Sequence, residues 1–298
     1  MDLTGKDFLS IADVSAAQLR GLFELAAELK ANPRGSQPLA GRVLAMIFEK
    51  PSLRTRVSFE TGMIQLGGQA IYLAPSDISL GKRESVGDVA VNLSRMTDGI
   101  MARVFEHDKV VQLAAGSEKP VINGLSDLEH PCQALADYLT IAEHRGLESR
   151  PLLTYIGDGN NVCHSLMLTA QALDLPMRVA CPTGFEPHED YLRAAPSVEI
   201  VNDPAVAVAG ADVVYTDVWA SMGQEDSAAH RRQIFAPFQV NAQLMAGAKP
   251  DAIFMHCLPA HRDEEVAAEV IDGPRSVVFD QAENRLHAQK ALLVALLA

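Results

Sequence analysis

Short apolar runs alternate with helix-like segments along most of this 298-residue chain. Each run is continuous and short, as expected for a strand that is buried on both faces of a parallel sheet. Parallel strands need long crossover connections, which the intervening helical segments supply. The alternation therefore predicts an α/β protein whose doubly wound parallel sheets are flanked by helices. The predicted strands are residues 43–48, 70–73, 99–104, 120–124, 152–156, 177–181, 198–201, 212–216, 252–255 and 277–279.

The length of the chain allows two domains of ordinary size. Residues 146–151 interrupt the alternation and resemble a linker, and the strand–helix rhythm restarts after them. We expect a first domain over 1–146 and a second over 147–284, joined by interdomain helices. The last helix, residues 285–298, is expected to pack back onto the first domain.

Composition excludes several classes of partner. The net charge of −13 argues against nucleic acid, whose phosphates require a positive surface. No apolar run approaches the roughly 18 to 20 residues that span a bilayer, and no signal-peptide pattern is present, so we expect a cytoplasmic protein with no membrane partner. The cysteines are widely spaced and are expected to be free thiols rather than a disulfide set or a zinc site. They are Cys132, Cys163, Cys181 and Cys257.

Ligands for an anion are concentrated just after the first predicted strand. Pro51 stops the strand, and Ser52, Arg54, Thr55 and Arg56 follow within five residues. Backbone N–H groups at a helix start, combined with guanidinium groups, bind phosphate or carboxylate. The alternative is that Ser52 is only a helix N-cap and that the arginines are solvated.

Other polar residues follow strands of the same half. Arg103, His130 and Gln133 would converge with the Ser52 segment, because ligands bind beyond the carboxyl ends of parallel strands. Each charge-assisted hydrogen bond contributes about 1.5 to 3 kcal/mol, so four or five would hold a small phosphate compound. Alternatively, His130 is a polar residue at a helix start and Arg103 is a surface charge.

The second half carries three motifs after predicted strands. Residues 157–161 read Gly-Asp-Gly-Asn-Asn, which lacks the third glycine of a dinucleotide fingerprint. Residues 217–223 supply a carboxylate, a hydroxyl and a glycine, and residues 256–259 read His-Cys-Leu-Pro. A structural role for each of these motifs alone is the competing interpretation.

Five motifs, in this order, resemble those of the carbamoyltransferases, and specifically of their ornithine branch, and the resemblance covers nearly the whole chain. It implies transfer of the carbamoyl group of carbamoyl phosphate to the δ-amine of L-ornithine, giving L-citrulline and phosphate in arginine biosynthesis. It also implies a homotrimer or a multiple of trimers, and neither a metal nor an organic cofactor. The motifs are Ser52-x-Arg54-Thr55-Arg56, His130-Pro131-x-Gln133, Gly157-Asp158-Gly159-Asn160-Asn161, Asp217-x-x-x-Ser221-Met222-Gly223 and His256-Cys257-Leu258-Pro259.

The same resemblance implies roles for particular residues. The implied carbamoyl-phosphate site comprises Ser52, Leu53, Arg54, Thr55, Arg103, His130, Gln133, Cys257, Leu258 and Arg285. The implied ornithine site comprises Asn161, Asp217, Ser221 and Met222. Catalytic roles are expected for Arg54, Arg103, His130, Asp217 and Cys257. Asp217 would orient the α-ammonium of ornithine, and Cys257 would favour the neutral δ-amine.

Two positions depart from the family pattern. Leu53 stands where the family usually has threonine, which is tolerable if this position contributes mainly its backbone N–H. Ser79 stands where a glutamine or histidine usually reaches into the site of a neighbouring subunit. Lys82 and Arg83 are the nearby residues able to replace that contact.

Three alternative functions compete with this interpretation. The first is a carbamoyltransferase that acts on putrescine, an acylated ornithine or aspartate, although the motif beginning at Asp217 favours an acceptor with a free α-amino acid end. The second is a catalytically silent anion-binding or regulatory protein, against which the joint presence of Arg54, His130, Asp217 and Cys257 argues. The third is a dinucleotide oxidoreductase, which the broken glycine pattern disfavours.

Overall fold

The computed structural model describes residues 3–220 and 228–298. The chain divides into two compact units. The first unit extends to Leu139 and includes Glu283–Ala298, and the second unit is Thr140–Ala282. Both crossings between the units fall inside helices, whereas the sequence placed the boundaries at residues 146 and 284. Residues 147–149 of the predicted linker form a short 3-10 helix.

The first unit is built on a parallel sheet with the strand order β2-β1-β3-β4. Its described strands are β1 (Val43–Phe48), β2 (Gln69–Leu73), β3 (Gly99–Arg103) and β4 (Val121–Leu125). The helices that begin in this unit are α1 (Ala16–Ala31), α2 (Leu53–Gln65), α3 (Pro75–Ile78), α4 (Val86–Met96), α5 (His107–Gly116) and α6 (Pro131–Arg145). A 3-10 turn, Ile11–Asp13, precedes α1.

Local sequence explains where these helices begin and end. The Ser15 hydroxyl accepts from the Gln18 N–H (3.3 Å), and the Gln18 side chain accepts in return from the Ser15 N–H (2.9 Å), which forms a capping box at α1. Ser85 caps α4 through the Asp88 N–H (3.0 Å). Gly67, with φ of +86°, follows α2 at a position where an L side chain is strained.

The second unit is built on a parallel sheet with the strand order β7-β6-β5-β8-β9. Its described strands are β5 (Leu153–Ile156), β6 (Met177–Ala180), β7 (Glu199–Val201), β8 (Val213–Thr216) and β9 (Ile253–His256). Its described helices are α7 (Asn161–Leu173), α8 (Glu189–Ala194), α9 (Pro204–Val208), α10 (Ala228–Phe235), α11 (Ala242–Gly247), α12 (Ala268–Ile271) and the start of α13 (Val278–Leu297). A 3-10 turn, Ala236–Phe238, follows α10.

The predicted fold class is confirmed, since helices flank both parallel sheets. Each sheet is buried against an apolar core, which includes Val89, Ile100 and Val121 in the first unit. Val214 and Phe254 belong to the core of the second unit. No helix in the described part of the chain is both long and apolar enough to cross a membrane.

The predicted strand at residues 277–279 is wrong. A single β-bridge joins Phe254 and Ser276, and helix α13 begins at Val278. Val278 is buried, whereas Phe279 is 72% exposed, so the apolar run is divided between the faces of a helix. A short apolar run has no periodicity that separates a strand from a buried helix turn, which explains the error.

Candidate active site

The strand orders identify where a ligand is expected in each unit. The order reverses between β1 and β3 in the first sheet and between β5 and β8 in the second. Open parallel sheets bind ligands at the carboxyl ends of the strands beside such a reversal. Predicted site residues lie at the end of β3 and in the segments that follow β1, β5 and β8, so each unit has its own candidate half-site.

The Ser52 segment forms the start of α2 in the first unit. The Ser52 hydroxyl accepts from the Thr55 N–H (3.3 Å) and donates to the Thr55 hydroxyl (3.0 Å), so Ser52 is indeed an N-cap. Leu53 is 75% exposed in the first turn, as expected of a residue that offers only its backbone. Arg56 turns away from the half-site, pairs with Glu60 (2.9 Å) and lies over the Tyr72 ring (3.9 Å).

Basic side chains are buried together at this end of the first sheet. Arg103, at the end of β3, is 6% exposed, and Arg285 of α13 is 2% exposed. His130 is also buried, and its pKa lies well below the usual value because of burial and of the positive charges of Arg285, Arg103, Lys50 and Arg54, in that order. His130 is therefore a neutral imidazole surrounded by cations, and such a cluster favours an anionic ligand.

Arg285 is hydrogen-bonded to two predicted site residues. One guanidinium nitrogen donates to the Gln133 side-chain oxygen (2.6 Å), and another donates to the Thr55 hydroxyl (3.3 Å). The Gln133 amide nitrogen in turn donates to the buried Asp137 carboxylate (2.7 Å). The structure thus brings together the α2 start, α6 and α13, which the sequence separates by up to 230 positions.

Lys50 is a site residue that sequence reasoning missed. Its side chain is only 9% exposed, and the ammonium lies 4.5 Å from the centre of the Phe105 ring. Burial and the neighbouring Arg103 lower its pKa to about 8, against the opposing influence of Asp127 and Glu49. The available signal was its position two residues before Ser52, on the same segment after β1.

Asp217, directly after β8, is the centre of the half-site in the second unit. Its carboxylate is 6% exposed, accepts from the Asn160 side-chain amide (2.8 Å) and accepts from the Cys257 thiol (2.9 Å). The Asn160 oxygen meanwhile caps α7 by accepting from the Val162 (3.0 Å) and Cys163 (3.1 Å) N–H groups. Capping α7 therefore fixes the Asn160 amide, which in turn orients the Asp217 carboxylate.

The sequence assigned the neighbouring asparagine, Asn161, to the ornithine site. Asn161 is the first residue of α7, and its side-chain oxygen accepts from the Val162 N–H (3.0 Å). The structure brings its backbone to this half-site but shows Asn160 as the direct partner of Asp217. Ser221 and Met222, the other predicted ornithine ligands, lie outside the described residues.

The turn after β9 is held by a buried pair that the sequence did not reveal. The His256 Nδ1 atom accepts from the Leu258 N–H (2.8 Å), which leaves Nε2 to donate to the buried Glu265 carboxylate (3.2 Å). Leu258 has φ of +57° and precedes a cis proline, Pro259. The His256–Glu265 pair thus fixes the backbone on either side of Cys257.

An ion pair supports the other side of this half-site. Arg231 of α10 binds the Asp158 carboxylate and the Trp219 carbonyl oxygen, and its guanidinium lies 4.8 Å from the centre of the Phe185 ring. Burial raises the pKa of Asp158 to about 6, although Arg231 acts in the opposite direction. The pair links the turn after β5 to the segment that follows Asp217.

Gly159 shows why the glycine-rich turn differs from a dinucleotide site. A Cβ atom at Gly159 would lie 2.3 Å from the Pro187 nitrogen, and the Gly159 N–H donates to the Phe185 carbonyl oxygen (2.9 Å). In a dinucleotide fold the corresponding glycine leaves space for the pyrophosphate. Here the chain's own backbone fills that space, which argues against a nicotinamide or flavin cofactor.

Among the described residues, two groups of side chains lie close enough together that they could hold a metal ion. Asp217, His256 and Cys257 form the first, but the hydrogen bonds above already engage their ligand atoms. His261, Glu264 and Glu265 form the second. Glu264 pairs with Arg232 (3.0 Å), and one oxygen of Glu265 binds His256, so this group has the contacts of a structural network.

The loop that contains Ser79 lies beside the first half-site, since Ser79 and Lys82 line a pocket together with Glu49 and Phe105. Ser79 ends α3 with φ of +48° and accepts backbone hydrogen bonds from Lys82 (2.9 Å) and Arg83 (3.1 Å). Lys82 and Arg83 are exposed. The structure of a single chain therefore presents these residues at the surface.

Comparisons with known proteins agree with this geometry. Residues 6–143 match the family model described as "Aspartate/ornithine carbamoyltransferase, carbamoyl-P binding domain". Residues 152–296 match the model described as "Aspartate/ornithine carbamoyltransferase, Asp/Orn binding domain". The two matches cover most of the chain. The first contains the first half-site except Arg285, and the second contains Arg285 and the second half-site.

Individual relatives match over nearly their whole length. The anabolic ornithine carbamoyltransferase of Pseudomonas aeruginosa is 55% identical, with 98% of this chain and 97% of the relative covered. The ornithine carbamoyltransferase of Anoxybacillus flavithermus is 54% identical over 100% of this chain and 98% of the relative. The solved ornithine carbamoyltransferase of Pyrococcus furiosus superposes with a TM-score of 0.96 at 52% identity, covering 100% of this chain and 98% of that one. The chain belongs to the aspartate/ornithine carbamoyltransferase family.

Proposed function

We propose that the protein transfers the carbamoyl group of carbamoyl phosphate to the δ-amine of L-ornithine, producing L-citrulline and phosphate in arginine biosynthesis. The observation that carries the proposal is the buried cation cluster at the sheet reversal of the first unit, which provides an anion site. The full-length match to an anabolic ornithine carbamoyltransferase supports both the acceptor and the direction.

In the first half-site, each residue has a distinct task. The N–H groups at the start of α2 and the hydroxyls of Ser52 and Thr55 bind phosphate oxygens. Arg54, Arg103 and Arg285 balance the charge that accumulates on the leaving phosphate, an electrostatic contribution that commonly dominates such transfers. Gln133 acts on the carbamoyl group and orients Arg285.

His130 acts as a hydrogen-bond donor. Burial, together with the cations around it, lowers the pKa of the imidazole and keeps it neutral, so it donates through one nitrogen to the carbamoyl oxygen without adding another charge to the cluster. A neutral donor polarises the carbonyl as negative charge develops on its oxygen.

In the second half-site, Asp217 binds the α-ammonium of ornithine. Cys257 and the Leu258 backbone lie beside the reacting amine, with Asn161, Ser221 and Met222 as the remaining ornithine ligands. The δ-amine lone pair forms the new C–N bond, the C–O bond to phosphate breaks, and the amine proton passes to the departing phosphate. An alkylammonium with a pKa of about 10.4 offers a lone pair in roughly one molecule in a thousand or fewer at pH 7, so the site must select the neutral amine.

A colorimetric citrulline assay tests this function. Purified protein with carbamoyl phosphate and L-ornithine should form citrulline, while putrescine, N-acetylornithine and L-aspartate should give little product. Asp217 favours ornithine over N-acetylornithine because its buried carboxylate needs a cationic partner, which an acylated α-amine cannot supply. Putrescine supplies a cation but lacks the α-carboxylate that the remaining ornithine ligands would bind. A faster reaction with another amine would transfer the proposal to that acceptor, and no carbamoylated product with any amine would contradict it.

The lowered pKa of Lys50 leads us to expect that the KM for carbamoyl phosphate depends on pH. Its pKa of about 8 means that the ammonium is largely lost between pH 7 and 9. Arg103, Asp127 and Glu49 are the charged groups that act on it. Losing a cation weakens anion binding, so the KM for carbamoyl phosphate should rise about tenfold over this interval. Initial rates measured from pH 6.5 to 9.5 would show the rise.

Lys50→Arg is the matched control for this prediction. An arginine stays protonated throughout the interval, so its KM should remain nearly constant above pH 7. The same rise in both proteins would assign the pH dependence to another group.

We also propose a homotrimer or a multiple of trimers. Leu53, Val57 and Ile64 lie on one face of α2 and are 75%, 51% and 69% exposed, and Ile71 of the neighbouring edge strand is 48% exposed. An exposed apolar face of this kind is typical of an interface between subunits. Ser79, Lys82 and Arg83 would then be placed to approach the site of a neighbouring subunit.

Ile64→Glu tests the interface. A buried carboxylate without a partner destabilises an assembly, so the variant should sediment as a smaller species in analytical ultracentrifugation. Val206→Glu is a suitable control, because Val206 is also exposed (58%) but lies on α9 of the second unit. Dissociation by both substitutions, or by neither, would exclude the α2 face.

We place the protein in the cytoplasm. Its cysteines, Cys132, Cys163, Cys181 and Cys257, are present as thiols in the structure. Burial raises the pKa of Cys132 to about 12, as expected of a packed thiol rather than a reactive one. Thiols of this kind are typical of proteins in a reducing compartment.

A further inference from the structure

Helix α13 carries a buried glutamine one turn beyond Arg285. Gln289 is 0% exposed, and residues four positions apart lie on the same face of a helix. Its side-chain amide lies against two nitrogens of the Arg285 guanidinium, at 2.9 Å from Nη2 and 3.2 Å from Nε. A guanidinium only donates, so the amide atom that faces it is the oxygen.

This orientation gives the other end of the amide a partner as well. The Gln289 nitrogen donates to the Ser58 hydroxyl on α2. Ser58 donates in turn to the Arg54 carbonyl oxygen (2.6 Å), one turn earlier in the same helix. Every donor in this chain of hydrogen bonds faces an acceptor, from Arg285 through Gln289 and Ser58 to the backbone of Arg54.

The network joins the two elements that supply the candidate phosphate ligands. Arg285 already reaches the Thr55 hydroxyl (3.3 Å) and the Gln133 oxygen (2.6 Å), and Gln289 engages the guanidinium from a third direction. A buried arginine held on three sides loses little conformational freedom when an anion binds. Its orientation is therefore set before the substrate arrives.

We propose that Gln289 is a positioning residue of the carbamoyl-phosphate half-site, because it orients the Arg285 guanidinium and ties it to the first turn of α2. Gln289 acts through Arg285 and does not touch the substrate. The inference rests on the proposed function, since it assigns Gln289 to the binding of carbamoyl phosphate and not to the binding of ornithine.

Gln289→Met is the direct test, because methionine has a similar length and removes both hydrogen bonds. The KM for carbamoyl phosphate should rise about tenfold, as expected for the loss of a hydrogen bond to a charged group. The KM for ornithine should change less than twofold. Isothermal titration with inorganic phosphate should show a comparable loss of affinity without any turnover.

Gln65→Met is the matched control. Gln65 also joins α2 to α13, since its side-chain oxygen accepts from the Lys290 ammonium (3.0 Å), but it does not contact Arg285. The Gln65→Met substitution should lower thermal stability while leaving phosphate affinity unchanged. Equal losses of phosphate affinity in both variants would show that Gln289 acts only through general stability and would overturn the proposal.

Ser58→Ala provides a second variant if Gln289→Met does not fold. It removes the far end of the network and should raise the KM for carbamoyl phosphate about threefold, again without an effect on ornithine. Unchanged phosphate affinity in whichever variants fold would overturn the positioning role. Failure of the wild-type protein to bind phosphate or carbamoyl phosphate would instead contradict the proposed function itself.

Discussion

Replacing Arg103 with methionine should lower kcat/KM for carbamoyl phosphate about a thousandfold while leaving the protein folded. Arg103 is buried among like charges, and its proximity lowers the pKa values of both His130 and Lys50. Removing it takes away a cation that stabilises the leaving phosphate, but it also relieves repulsion within the cluster. Activity and stability should therefore change in opposite directions, or stability should not change.

Two measurements separate the effects of Arg103→Met. The melting temperature without ligand should be unchanged or higher, because the substitution removes a buried charge that repels Lys50 and methionine has a similar length. Inorganic phosphate should raise the melting temperature of the wild-type protein but raise that of the variant much less, since stabilisation follows ligand affinity. The pKa of Lys50 should also rise, which would shift the pH dependence of the residual activity upwards.

Arg56→Met is the control for this experiment. Arg56 belongs to the Ser52 motif at the start of α2, but it binds Glu60 and the Tyr72 ring, outside the cation cluster. Its replacement should change kcat/KM less than threefold. An Arg103→Met protein that unfolds at room temperature would show that Arg103 is mainly structural, and unaltered turnover would remove it from the site.

The fold was predictable because its signals are local. A strand such as Val43–Phe48 is a continuous apolar run. Ser52 and Gly67 directly flank the helix that follows and mark where it begins and ends. The error at residues 277–279 has the same origin. Val277 and Val278 satisfy a strand pattern, but only packing decides whether a three-residue apolar run becomes a strand or the first turn of a helix.

The candidate site was predictable only in part, because its contacts join distant positions. Thr55 and Arg285 are hydrogen-bonded across 230 positions, and no local pattern contains that pairing. The Glu265 partner of His256 is a common residue type with no spacing rule, and the four-residue spacing of Gln289 from Arg285 is shared by many other pairs on α13. Their roles follow from burial, which forces each buried polar group to find a partner.

The choice between Asn160 and Asn161 shows a finer limit. Both residues have the same side chain, and both lie at the start of α7. The N-cap geometry, which follows from backbone angles and not from composition, determines that Asn160 caps the helix and also binds Asp217. The backbone thus decides which of the two asparagines binds Asp217, while the ornithine role assigned to Asn161 stays a prediction.

Replacing Asp217 with asparagine should lower kcat/KM for ornithine about a thousandfold without changing phosphate affinity. The substitution preserves shape but removes the charge that we propose pairs with the α-ammonium, and breaking a buried ion pair costs about 3 to 5 kcal/mol. It also replaces one of the two carboxylate oxygens that accept hydrogen bonds from the Asn160 amide (2.8 Å) and the Cys257 thiol (2.9 Å). Asp212→Asn, at the opposite end of β8, is the control, since Asp212 binds Lys249 (2.7 Å) and the Leu152 N–H (2.9 Å).

Substrate variation completes the test of Asp217. The acceptor 5-aminopentanoate keeps the reacting amine and the carboxylate of ornithine but lacks the α-ammonium. The wild-type enzyme should prefer ornithine over it by a large factor, whereas Asp217→Asn should lose most of that preference, because the protein change and the substrate change remove the same interaction. If the variant keeps the full preference for ornithine, Asp217 does not bind the α-ammonium. The carboxylate would then act only through its hydrogen bond with Cys257, and the loss of activity would appear equally with both acceptors.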